Sequence, residues 1–115
     1  MGSLLLENGQ LAKAVAVFDA VIQRNPRFAE GYNKRATALY HLGEYRKSLD
    51  DIDETLKLNP YHFGALSGAG LCMIGLERLD SALIYFDRAL KINPNMEGII
   101  TLKERIQHKL TKLRI

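Results

Sequence analysis

A chain of 115 residues, 47% hydrophobic and 25% charged, falls within one ordinary domain and carries enough apolar side chain for a core. That composition excludes a disordered chain. No apolar run approaches the about 18 residues of a membrane span, and the start lacks a charged residue followed by a long apolar stretch. The net charge of +3 is localised, because residues 1–94 hold 11 charges of each sign while 95–115 hold five basic and two acidic residues. Cys72 stands alone, which rules out an intrachain disulfide and a multi-cysteine metal site and leaves the compartment open.

In chain order, Ser3 to Glu7 reads as the tail of a helix whose beginning lies outside the sequence, followed by a turn at Glu7-Asn8-Gly9. From Gln10 to Arg24, Leu11, Ala14, Val15, Val17, Phe18, Val21 and Ile22 describe a second helix that Asn25-Pro26 ends. Ala29 to Leu42 is a third, with Gly43 supplying the left-handed turn after it, and Tyr45 to Leu58 a fourth. Tyr61 to Ile74 is a fifth, weak in isolation because Gly64, Gly68 and Gly70 each cost up to about 1 kcal/mol relative to alanine. Leu79 to Ile92 is the sixth, with an apolar stripe of Leu79, Ala82, Leu83, Phe86, Ala89, Leu90 and Ile92. Asn95 to about Leu113 is a seventh, basic helix whose Ile99, Leu102, Ile106, Leu110 and Leu113 line one face. No stretch alternates as a strand does, so the expected class is all-α.

The sixth helix repeats earlier phrases. Ala14, Phe18, Asn25 and Pro26 match Ala82, Phe86, Asn93 and Pro94, with Ser48, Ile52, Asn59 and Pro60 midway, so the prolines at 26, 60 and 94 are equally spaced. That spacing, with its small and bulky residues at fixed offsets, resembles the tetratricopeptide repeat, whose pattern runs W-x2-L-G-x2-Y, then A-x3-F, then P. One unit carries Leu66, Ala69, Gly70, Met73, Ala82, Phe86 and Pro94 in those slots, and the preceding one Tyr32, Arg35, Ala36, Leu39, Ser48, Ile52 and Pro60. The first unit has Leu5 in the tyrosine slot, then Ala14, Phe18 and Pro26. Arg35 replaces the family's leucine, Tyr32 and Leu66 its tryptophan, and Ser48 its alanine, departures expected to weaken single packing contacts. Stretches around Phe28–Thr37 and His62–Gly68 are also similar to small bacterial repeat proteins, some of them exported.

The resemblance implies a single domain of tandem helix-turn-helix units in a short right-handed superhelix: a truncated repeat at 1–26, repeats at 27–60 and 61–94, and a capping helix at 95–115. Small residues let paired helices approach while bulky ones fill the space between units. The family holds partner segments in a concave groove lined by the first helix of each unit. Carried onto this register, that wall comprises Glu30, Asn33, Lys34, Thr37, Tyr40 and His41, then Gly64, Ser67, Gly68, Leu71 and Ile74, with Arg105 on the same side of the capping helix. Any one of these also suits an ordinary solvated helix face. Members that clamp a C-terminal carboxylate carry asparagine directly before the arginine and basic residues in the next helix. Here Lys34 precedes Arg35, and Gly64, Ser67 and Gly68 offer no cation, so that clamp is not carried over.

Other candidates have bland explanations. Asp50, Asp51, Asp53 and Glu54 lie near Arg46, Lys47 and Lys57 and read as a solvated, ion-paired face. His41, His62 and His108 lack metal-ligand spacing, and Cys72 has no nucleophile motif around it. No phosphate loop, dinucleotide fingerprint or paired-carboxylate motif occurs, so no catalytic residue, cofactor or metal is assigned. The basic residues Lys103, Arg105, Lys109, Lys112 and Arg114 are interrupted by Glu97 and Glu104 without interleaved aromatics, which argues against nucleic acid, and the near-heptad spacing of the same helix fits a partner helix better. The expected function is a non-catalytic protein-interaction module holding a peptide or protein segment. The alternative is self-association into a homo-oligomer through the incomplete first repeat or the capping helix. Cytoplasmic location is the default, with export or an organelle left open.

Overall fold

The computed structural model describes residues 2–113, with side chains from 7 to 113. The slots of Leu5 and Arg114 therefore lie outside the described side chains. Six helices follow one another: α1 (Gly2–Arg24), α2 (Ala29–His41), α3 (Tyr45–Leu58), α4 (Phe63–Gly75), α5 (Leu79–Ile92) and α6 (Glu97–Leu113), with no strand among the described residues. Neighbouring helices pair as antiparallel hairpins, α2 with α3 and α4 with α5, giving a slab 49 × 38 × 22 Å. Its thickness is about two helix diameters.

Both hairpin turns are built alike. After α2, the Gly43 and Glu44 amides donate to the Tyr40 and Leu39 carbonyls, and after α4, Glu77 and Arg78 donate to Ile74 and Met73. These bonds define the Schellman motif, which needs a left-handed residue. Gly43 supplies it at φ +80°, and Glu77, in the same register one unit on, is forced to φ +61°. Gly9 occupies that register one unit before Gly43, yet it stays helical. The expected turn at Glu7-Asn8-Gly9 is therefore replaced by one continuous 23-residue helix, and seven expected helices become six. A turn residue permits a turn without imposing one; surface to pack against on the far side is what makes it bend.

The first core cluster joins Ala36 on α2, Ile52 on α3 and Ala65, Ala69 and Cys72 on α4, flanked by Tyr40 and Tyr45. The second joins Ala82 and Phe86 on α5 to Ile106 on α6, with Met73, Ile74, Ile99, Leu102 and Leu110 packed around them. Close approach depends on Gly70, where a Cβ would lie 2.3 Å from the Phe86 ring, and on Gly75, where it would lie 2.5 Å from Tyr45. Ser48, standing in the alanine slot, donates its hydroxyl to the Ala36 carbonyl at 2.7 Å and so satisfies a buried oxygen.

Two expectations are corrected here. The apolar face of α6 is spent inside the molecule on α4 and α5 rather than on a partner helix, with only Leu113 left 71% exposed. The acidic run of α3 is not all solvated: Asp51 is 5% exposed and takes a bidentate bond from Arg35, at 2.7 Å from Nε and 2.6 Å from Nη2. Arg35 also donates to Asp19 on α1 at 2.7 Å, tying three helices together. The bond to Asp51 holds the guanidinium above its already high ordinary pKa, against the opposing effect of burial. Two units later the same register carries another ion pair, Lys103 to Asp87 at 2.6 Å, while in the unit between them Ala69 is fully buried.

Candidate peptide-binding groove

The first helix of each hairpin gives one side to the core, at Ala36 on α2 and Ala69 and Cys72 on α4, and the neighbouring face opens on a shared depression with Ala36 at its edge. A cavity of about 180 Å³ results, lined by Asn33, Ala36, Thr37, Tyr40 and His41 from α2, Ser48 from α3, and Gly64, Ser67, Gly68 and Leu71 from α4. Eight of the sequence-selected groove residues meet here: Asn33, Thr37, Tyr40, His41, Gly64, Ser67, Gly68 and Leu71. Lys34 faces the other flank of α2, in a second depression of about 260 Å³ with Leu11, Phe18, Asn33, Thr37, Ala38 and His41. Asn33, Thr37 and His41 form the ridge between the two.

Glu30 is engaged elsewhere. It pairs with Nε2 of His62, whose Nδ1 accepts the Ala65 amide at 3.0 Å and caps α4, so this one imidazole links the N-terminal ends of both groove helices. Arg105 is exposed and does not line the cavity. Sequence reasoning assigned no role to His62, or to Ser48 as a wall residue. The signal for His62 was its place one repeat period after Phe28 and one before Met96, which fixes it beside a helix start.

Chemically the wall is apolar with a few polar groups. Tyr40 stacks edge-on against His41 at 5.2 Å and leans on Tyr45 at 5.6 Å. Burial, with a smaller contribution from Tyr45, pushes the Tyr40 phenol pKa up and keeps it neutral. Ser67 spends its hydroxyl proton on the Phe63 carbonyl at 2.8 Å, and Thr37 donates to Asn33 O at 3.0 Å. Among the described residues, no hydrogen bond or ion pair holds the side chains of Asn33 or Lys34, so the amide and the ammonium are unengaged donors. Burial raises the Cys72 thiol, with the Ser48 hydroxyl opposing, which leaves it a core side chain rather than a nucleophile. No three His, Cys, Asp or Glu side chains among the described residues converge as a metal site, and no described helix is long and apolar enough to cross a membrane.

The family model for the tetratricopeptide repeat matches residues 1–61 and 33–97. The chain belongs to the tetratricopeptide repeat family. A TPR repeat-containing protein of Rhizobium etli is 36% identical over 89 residues, covering 77% of this chain and 44% of that protein. The chain spans less than half the length of the curated relatives it matches. Among solved structures, the first TPR of Spaghetti (RPAP3) bound to HSP90 peptide SRMEEVD superposes with a TM-score of 0.85 at 21% identity, over 96% of this repeat protein and 87% of that chain. The second TPR domain of human RPAP3 in complex with HSP70 peptide SGPTIEEVD gives 0.80 at 20% identity, over 92% and 88%. At that identity the likeness establishes the fold, an all-α superhelix of tetratricopeptide repeats with α6 as its cap.

Proposed function

We propose that the protein is a non-catalytic interaction module that holds an extended segment of a partner polypeptide across α2. The observation that carries this is the cavity between α2 and α4, apolar at Tyr40 and Leu71 and edged by the unengaged Asn33 amide. An apolar side chain of the segment enters between Tyr40 and Leu71, Asn33 bonds its backbone, and an acidic group over the α2 ridge meets Lys34. Gly68 keeps the floor open, since a Cβ there would meet only Ile52 Cδ1, at 3.4 Å. Two of the similar domains hold bound HSP90 and HSP70 peptides, which supports the class of ligand; the departures at Lys34, Gly64 and Gly68 leave the carboxylate clamp out of this reading.

The test is a titration of isotopically labelled protein with a library of short peptides pairing an apolar residue with an acidic one. Shifts of Asn33, Tyr40, Gly68 and Leu71 amides, abolished by Gly68→Leu and weakened about fivefold by Lys34→Ala, are expected. Both variants should keep their helical content. Binding that both variants leave intact would place recognition on another surface.

A further inference from the structure

The open depression between α1 and α2 has two closed counterparts in the same molecule. Leu11, Phe18 and Ala38 line it. One unit on, Tyr45, Ile52 and Cys72 occupy those positions and are covered by Ala36 and Tyr40. In the unit after that, Leu79, Phe86 and Ile106 do so and are covered from α4, where Gly70 touches Phe86 and Ile74 packs alongside. In the first unit the covering positions fall on Gly2 and Leu6. The chain thus carries residues for the cover, but α1 runs on through Gly9 and takes that segment away from its own depression.

We infer that residues 2–8 of a second copy fill this depression, giving a two-fold dimer with exchanged helix ends. In the α2–α3 hairpin, Ala36 meets Ser48 through the 2.7 Å hydrogen bond and Tyr40 meets Tyr45 at 5.6 Å. The equivalent pairs in α1 are Gly2 with Ala14 and Leu6 with Leu11. Two continuous α1 helices, antiparallel about a two-fold axis beside Asn8 and Gly9, bring both pairs together between copies, twice over. Gly2 and Ala14 are small enough for the helices to approach closely, as Ala36 and Ser48 do. The covering segment sits where α2 sits relative to α4, so the ridge of Asn33 and Thr37 remains open and the exchange adds a second groove wall. Repeat stability comes from neighbour interfaces, and this contact supplies the one the first unit lacks.

The deciding experiment is a Leu6→Cys/Leu11→Cys double variant treated with a mild thiol oxidant, with the buried Cys72 left in place. A disulfide-linked dimer is the expected product. A monomer with an internal disulfide means that the chain turns at Gly9, and an unlinked monomer means that the depression stays open; either overturns the exchange. Light scattering of the unmodified chain from micromolar to millimolar concentration should show a dimer, and Leu6→Asp should raise its dissociation constant at least about tenfold by placing a charge in the apolar contact. A strictly monomeric chain across that range also overturns it.

Discussion

Phe18 and Phe86 hold the same slot two units apart, yet their surroundings differ. Phe86 is fully buried, pressed on Gly70 and closed over by Ile106 from α6, whereas Phe18 is half-buried and lines an open depression. The residue type is common to both positions, so the difference lies in what covers them. In a linear array each unit's apolar face is buried only by its neighbours, so the closed end gains from two sides and the open end from one. Electrostatics does not divide in this way: Arg35 binds Asp51 and Asp19 at the open end, Lys103 binds Asp87 in the same register at the closed end, and the unit between them fills that position with the fully buried Ala69.

The largest expected effect is at the closed end. Phe86→Ala should cost about 3–5 kcal/mol, since it removes a large side chain from a site that cannot collapse, while Phe18→Ala should cost only about 1 kcal/mol in the monomer. Denaturant unfolding of both variants measures the gap, and equal losses would erase the distinction between the ends. Hydrogen exchange sharpens it further, with amides in Leu11–Ile22 expected to exchange faster than those in Leu79–Ile92.

Arg35→Ala comes next. It strips the partner from an almost fully buried carboxylate and should cost about 3 kcal/mol, whereas Arg35→Leu paired with Asp51→Leu should recover most of the loss by restoring apolar packing. If Arg35→Ala proves neutral, the open end is not held by this ion pair.

The smallest effect concerns the two turns. Glu77 is forced into the left-handed conformation that Gly43 adopts freely, so Glu77→Gly should raise stability by about 1 kcal/mol, and Gly43→Glu should lower it by a similar amount. Thermal unfolding of both resolves this. A Glu77→Gly variant no more stable than the parent would mean that the strain is absorbed elsewhere.

Local signals in the chain set the period, and with it most of the architecture: Asn-Pro at each unit's end, the repeat register and the apolar stripes suffice to place α2 to α6 to within a turn and to bring eight groove positions onto one cavity. Tertiary structure decided what a single chain position cannot express. Gly9 and Gly43 are the same residue in the same register, but only Gly43 turns. Gly70 and Gly75, not Gly64 and Gly68, are where backbone and ring come closest across helices. Asp51 reads as one of four surface acids until α2 brings Arg35 against it, and the seam of α6 reads as a partner surface until α4 and α5 cover it. Each of these depends on which surfaces meet: burial and pairing are properties of two elements in contact, while periodicity and turn chemistry are properties of one.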